Sequence, residues 1–261
     1  MYRGYKLTDV TFTKNPLNRQ YGNNLYEDLK KAIRPSLGSY IIDNETLDAE
    51  KIQKDWFPEV NAHIFISHSH KDESLAIALA GWLLNNFGLK AFIDSCVWGY
   101  ANDLLKILDN QYCRNNKPDS YNYNKRNYST SHVHMLLMTA LNKMIDKTEC
   151  VFFLNTENSV SIVSGIENRT LSPWIYGEIE TTRIIEKHQP KRETIKMFNE
   201  SRVLLEKAED SLLNIAYPMN TSHLYDLTPQ TLQQWEQDSK YGGEKALDRL
   251  YELTQPHRIY G

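Results

Sequence analysis

The chain has little of what builds special frameworks. Three cysteines, Cys96, Cys113 and Cys150, occur among 261 residues. Their spacing fits neither a zinc site nor a redox pair, and a sparse, odd count suits a reducing compartment better than a disulfide scaffold. Long apolar runs are missing as well. Stretches such as residues 150–154 are far too short to cross a bilayer. The opening segment MYRGYKLTDVTFTKN lacks the apolar centre of a secretory signal. A cytoplasmic protein without a membrane partner is the expectation. Charge of one sign is also missing. Thirty Lys and Arg stand against 33 Asp and Glu, a formal charge of −3, so no bulk field draws the chain to nucleic acid. Neither a P-loop nor a dinucleotide-fingerprint glycine loop occurs, which argues against an NTPase or a Rossmann dehydrogenase. It does not argue against a dinucleotide consumed as substrate. Internal repeats and low-complexity segments are absent.

What is present is ordinary globular material, 41% apolar and 24% charged, enough for one domain with extensions. Residues 1–60 are rich in Tyr, Asn and charge and offer little apolar material of their own. They read as an N-terminal extension packed on the core, with one short helix over 25–33 that stops before Pro35. From His63 the pattern changes. His63-Ile64-Phe65-Ile66-Ser67 is a buried-strand run. Ser69-His70-Lys71-Asp72 reads as a capping box. Leu75, Leu79, Trp82, Leu83 and Phe87 recur at helical spacing until Gly88 stops the helix. Residues 89–94 form a second strand, giving a βαβ unit and a parallel sheet.

A loop over 95–102, a helix over 103–112 and a polar surface insertion over 113–130 are expected next. Met135, Met138, Leu141, Met144 and Ile145 then mark a helix face, and residues 149–155 a third strand around Val151-Phe152-Phe153-Leu154. After a loop over 156–170, Ser172 and Pro173 open another helix as N-cap and first residue, which the run 190–193 ends. A charged helix over 194–213, a short strand at 215–217 and an amphipathic helix over 246–253 complete the reading. The domain limits are 1–60, 61–220 with an insertion at about 112–134, and 221–261.

Ile64-Phe65-Ile66-Ser67-His68-Ser69-His70-Lys71-Asp72 resembles the first strand and following loop of bacterial Toll/interleukin-1 receptor (TIR) domains. Residues 89–94 resemble the second strand of that family, ending in Asp94, and Val151-Phe152-Phe153-Leu154 resembles the third. Ser172-Pro173-Trp174-Ile175-Tyr176-Gly177-Glu178 resembles the family's Trp-x-x-x-Glu helix motif. The resemblance covers about half the chain. It implies an α/β fold, a flavodoxin-like parallel sheet with helices on both faces. It also implies cleavage of the nicotinamide–ribose bond of NAD, by hydrolysis or by making a cyclic or conjugated ADP-ribose signal, in Thoeris-type antiphage defence. Glu178 would be the catalytic residue. Ser67, His68, Ser69, Asp94, Trp98, Asn155 and Trp174 would line the substrate site. NAD is then substrate and no cofactor is needed. Self-association through TIR surfaces and a separate effector protein are the implied partners.

One carboxylate suffices for such chemistry. Nicotinamide leaves neutral, so no general acid is needed, unlike ordinary glycoside hydrolysis. A carboxylate can bind the ribose hydroxyls and stabilise the oxocarbenium charge. Trp174 lies four residues before Glu178, on the same helix face. On spacing alone, a solvated glutamate beside a core tryptophan is the simpler reading, and the resemblance reverses that preference. Glu180 and Glu186 lack a tryptophan at this offset and read as surface charges.

Trp98 stands evenly between a stacking platform and core, and Asp94 leans to a structural role. His68-Ser69-His70-Lys71-Asp72 also resembles the zinc-binding opening of metallo-β-lactamase-type hydrolases. Glu73 stands where that family has another His, and a later Gly-rich His motif is missing, so a metal site is disfavoured. His132 and His134 would not face each other at a helix start. The functional rivals are a non-enzymatic TIR assembly module and a nucleoside deoxyribosyltransferase-like enzyme.

Overall fold

The computed structural model describes residues 1–12, 16–29, 36–43, 46–117, 120–163, 166–190, 215–238 and 242–254. In chain order it contains β1 (Arg3–Leu7), α1 (Pro16–Leu29), β2 (Ile41–Asp43), β3 (Thr46–Leu47), α2 (Ala49–Trp56), β4 (Ile64–Ser67), α3 (Glu73–Phe87), β5 (Ala91–Ile93) and α4 (Ser95–Leu108). Then come α5 (Tyr123–Lys147), β6 (Cys150–Leu154), β7 (Ser161–Val163), β8 (Ile166–Thr170), α6 (Pro173–Ile184), β9 (Tyr217–Pro218), β10 (Tyr225–Leu227), α7 (Pro229–Asp238) and α8 (Glu244–Leu253). The charged helix expected over 194–213 lies outside the described residues. None of the described helices is long and apolar enough to cross a membrane.

The chain divides into two units. The first joins Met1–Tyr26, Asn61–Ile93 and Ile145–Gly261, and the second joins Glu27–Val60 and Asp94–Met144. The first unit holds a five-stranded sheet in the order β10-β1-β6-β4-β5, with every neighbouring pair parallel. Read from the other edge, β5-β4-β6 gives the flavodoxin-like 2-1-3 start. Position four, however, is filled by a strand from the chain's N-terminus. β1 therefore lies inside the sheet, between β6 and β10, where a packed extension without a strand was expected.

Helices flank both faces, and alternation along β6 decides which helix meets which residue. Phe153 clusters with Ile175 and Ile179 of α6 and with Val160, Met219 and Leu224. The neighbouring Phe152 points the other way, toward Tyr5 at 5.5 Å and Trp235 of α7 at 6.4 Å between ring centroids. On that face Trp235 stacks on Phe87 at 4.1 Å and meets Trp82 at 5.7 Å. Gly88 ends α3 as expected, in left-handed backbone at φ 66° with its N–H on the Leu83 and Leu84 carbonyls. Ser172 caps α6 by accepting from the Ile175 N–H, with Pro173 in the first turn.

In the second unit Asp94 caps α4 by accepting from the Ser95 N–H. Cys96, Val97, Tyr100, Ala101, Leu104 and Leu108 then bury one stripe, so a helix starts at once and the loop expected over 95–102 does not exist. Trp98 lies in the first turn of that helix. The segment expected as a surface insertion is also structured. Asp109 accepts from Arg126 Nε at 2.7 Å and Ser129 Oγ at 2.6 Å, which fastens the π-turn Asp109–Cys113 to α5. The buried stripe of α5 runs through Val133, Leu137, Ala140, Leu141, Met144 and Ile145, while Met135 is exposed, so the expected face was wrong by part of a turn. The loop expected over 156–170 carries the antiparallel pair β7-β8, and Tyr217–Pro218 joins β8 rather than the main sheet.

Candidate functional site

Ligands of open parallel sheets gather at the carboxyl ends of the strands, where neighbouring connections diverge. Here β4 leads outward to β5, while the chain leaving β6 returns to β10 on the opposite side. The diverging pair is β4 and β6. Register sets what stands there. Ser67, the last residue of β4, pairs with Phe153, and paired residues of a sheet share a face. Because Phe153 packs against α6, Ser67 also faces α6.

Glu178 projects from that helix to meet it. Ser67 Oγ donates a hydrogen bond to Glu178 Oε2 at 2.6 Å. Both residues are completely buried, at 0% exposure. A carboxylate held in the interior by a hydroxyl at a strand end is an expensive arrangement to maintain, and such groups concentrate at functional sites. Trp174 lies one turn earlier on α6 and is half-buried. His68, next to Ser67, is buried too, whereas His70 is exposed.

Ser69 is partly exposed and precedes a short 3-10 turn, His70–Asp72, without a side-chain cap bond, so the expected capping box does not form. The Asp72 carboxylate instead reaches β6's following loop. It accepts from Thr156 Oγ1 at 2.5 Å and from Asn158 Nδ2 at 2.7 Å, tying the loops after β4 and β6 together.

Asn155 turns away from Glu178. Its Nδ2 donates to Thr8 Oγ1 at 3.2 Å and its backbone N–H to the Leu7 carbonyl. It thereby lines a cavity of about 380 Å³ at the ends of β1 and β6, with Thr8, Asp9, Asn158, Asn168 and Thr221 around it. Asp9 and Asn168, at φ 56° and 55°, are the non-glycine residues with left-handed backbone among the described residues, and both border this cavity. Ser67 and Glu178 are not among its lining residues. Asp94 and Trp98 belong to the second unit, where Asp94 serves as a helix cap. Among the described residues no group of three His, Cys, Asp or Glu is placed to hold a metal ion.

No protein-family model, curated protein or solved structure compared with the chain matches it.

Two features near α6 had no sequence signal. Thr182 Oγ1 donates to the Ile179 carbonyl and lies 2.8 Å from His223 Nε2. With its one proton used, the threonine accepts from the imidazole. The Thr182 carbonyl takes Lys187 Nζ at 2.6 Å. Burial, reinforced by Lys187 and Arg183, lowers the His223 pKa from 6.5 to about 4. The ring therefore stays neutral in the folded protein, while the unfolded chain takes up its proton below about pH 6.5. The folded pKa is depressed, so this contribution is complete above pH 6.5 and fades as pH falls toward 4. We expect the wild-type Tm to drop between pH 7 and pH 4.5 by roughly 3 °C more than that of His223→Gln. Scanning calorimetry of the two proteins at both pH values checks this.

Proposed function

We propose that the chain cleaves the bond between nicotinamide and ribose in NAD, with Glu178 as the catalytic residue. The observation that carries the reading is the Glu178 carboxylate, buried on α6 and held by the Ser67 hydroxyl at the diverging strand ends. The β5-β4-β6 order, which follows the flavodoxin-like pattern, and the resemblance of the first-strand and Trp-x-x-x-Glu motifs to TIR domains support it.

In the proposed reaction the ribose hydroxyls take the place of Ser67 on the carboxylate. The C1′–N1 bond breaks with its electron pair moving to the pyridinium nitrogen, and nicotinamide departs neutral. Glu178 stabilises the positive sugar, and burial strengthens that interaction. Water then adds at C1′ and loses a proton to give ADP-ribose, or a nucleophile of the nucleotide itself adds to give a cyclic product. Ser67 holds the carboxylate in place until substrate displaces it, and the half-buried Trp174, one turn earlier on the same helix, is assigned the role of walling the site from solvent. The TIR resemblance further suggests a role in antiphage signalling through a separate effector.

The test is a substrate panel. Purified protein at a verified oligomeric state is incubated with NAD, ribonucleosides and deoxyribonucleosides, and the released base is followed by chromatography. Nicotinamide from NAD alone supports the proposal, and base released from nucleosides alone would replace it with a nucleoside-directed enzyme.

A further inference from the structure

The cavity of about 380 Å³ that Asn155 lines stands at a second crevice of the sheet. The chain leaving β1 goes to the aromatic face, where Phe12 meets Trp82 of α3 at 5.2 Å between centroids. The chain leaving β6 goes to the opposite face, where α6 packs on Phe153. Adjacent strands whose connections leave on opposite faces open a crevice at their carboxyl ends, and β1 and β6 are such a pair. The polar groups at its wall are neutral and unspent. Asn155 Nδ2 is used on Thr8 Oγ1, but Asn155 Oδ1 makes no hydrogen bond among the described residues, and neither do the side chains of Asn168 and Thr221. None of these atoms is sealed in the interior, and all three residues border the cavity. Asn168 holds left-handed backbone at φ 55°, which glycine adopts at lower cost, so its amide is presented there against a conformational penalty.

We propose that this cavity binds a neutral, polyhydroxylated ring, a single sugar or the ribosyl group of a nucleotide, through Asn155, Asn168 and Thr221. A sugar hydroxyl both donates and accepts, which matches a wall that offers amide oxygens, an amide NH2 group and a hydroxyl side by side. The volume is at the small end of the range for ligand sites and suits one ring. The lining residues include no aromatic side chain on which a base would stack. Lys6 is the one cation among the described lining residues, and its ammonium pairs with Asp226 at 2.9 Å. Asp9 and Glu157 add negative charge at exposed positions, so an anion is disfavoured at the wall. Ser67 and Glu178 do not line the cavity, and the site stands or falls independently of NAD cleavage.

The test follows binding to the whole protein by the backbone amide resonances of Asn155 and Asn168 in proton–nitrogen NMR. Methyl β-D-ribofuranoside is compared with its 2-deoxy analogue, which lacks one hydroxyl of the vicinal pair. The riboside is expected to shift both resonances, and the deoxy analogue to bind about fivefold weaker or more. ADP-ribose separates the two sources: tighter binding than the riboside assigns the sugar to a nucleotide, and binding no tighter assigns a free sugar. Asn168→Gly removes the amide and relaxes the left-handed backbone, so it should fold as well as wild type and bind the riboside about fivefold weaker or more. Asp9→Asn removes a charge and should leave the riboside affinity unchanged. The proposal would be overturned by no shift with the riboside, or by equal affinity for both ribosides. Loss of riboside binding in Asp9→Asn, with calcium chloride alone shifting the wild-type resonances, would replace it with a cation site. These outcomes are read whether or not NAD is cleaved.

Discussion

Glu178→Gln is expected to lower nicotinamide release from NAD by about a thousandfold or more while leaving the protein folded. The amide keeps the shape of the side chain and an oxygen that accepts the Ser67 proton, but it cannot supply negative charge to an oxocarbenium-like sugar. The stability outcome is equally informative. A buried carboxylate is costly, and residues kept for chemistry commonly sit where a neutral isostere would be tolerated. The Tm of Glu178→Gln should therefore stay within about 3 °C of wild type. A structural carboxylate predicts the opposite pattern, a marked loss of Tm with no catalytic activity to lose.

The second large effect concerns the crossing of α1 and α3. A Cβ built on Gly81 would lie 1.6 Å from the Asn18 carbonyl oxygen and 2.8 Å from the Gly22 nitrogen. One on Gly22 would lie 2.0 Å from the Ile77 carbonyl oxygen. Each helix thus presents a glycine to the other's backbone, and neither obstruction is a flexible side chain that can swing aside. Gly81→Ala must force the helices apart, and α3 carries Trp82 and Phe87 into the aromatic cluster behind β6. A loss of about 3 kcal/mol or more is expected, read as a fall of roughly 6–12 °C in Tm. Gly99→Ala is the control, because Gly99 is exposed on α4 and nothing lies within 4 Å of its Cβ position. That substitution should leave Tm unchanged or raise it slightly.

The strands β4, β5 and β6 were legible because each is an apolar run with no competing reading. The C-terminal end of α3 and the start of α6 were legible because Gly88 and Ser172-Pro173 are local signals that tertiary context did not override, whereas α6 stops at Ile184, short of the end expected at 190–193. β1 was not. Its sequence, RGYKL, carries two cations yet is buried throughout. Arg3 donates to the Tyr251 carbonyl and lies over the rings of Tyr225 and Tyr251, and Lys6 pairs with Asp226 at 2.9 Å. Those partners are more than 200 positions away, so no local window contains the reason for the strand. The start of α4 was misread because Asp94 looked like a strand end, whereas it is a cap.

The candidate site divides in the same way. Ser67 and Glu178 were named from separate motifs, and the register of β4 against β6 brings them together. Asn155 was chosen because it follows a strand, but the strand beside it is β1, so it turned toward Thr8. Asp72 was read as a capping residue, while its actual partners, Thr156 and Asn158, come from a loop over 80 residues later. Periodicity reports which face of an element is apolar and carries no information about which loop will arrive beside it.

The most direct measurement is the time course of nicotinamide release when the wild-type protein, at a verified oligomeric state, is mixed with NAD. Stoichiometric nicotinamide and ADP-ribose or its cyclic form are expected, with the signal lost in Glu178→Gln. NAD left intact by the wild-type protein, or cleaved equally well by Glu178→Gln, would contradict the proposed role of Glu178.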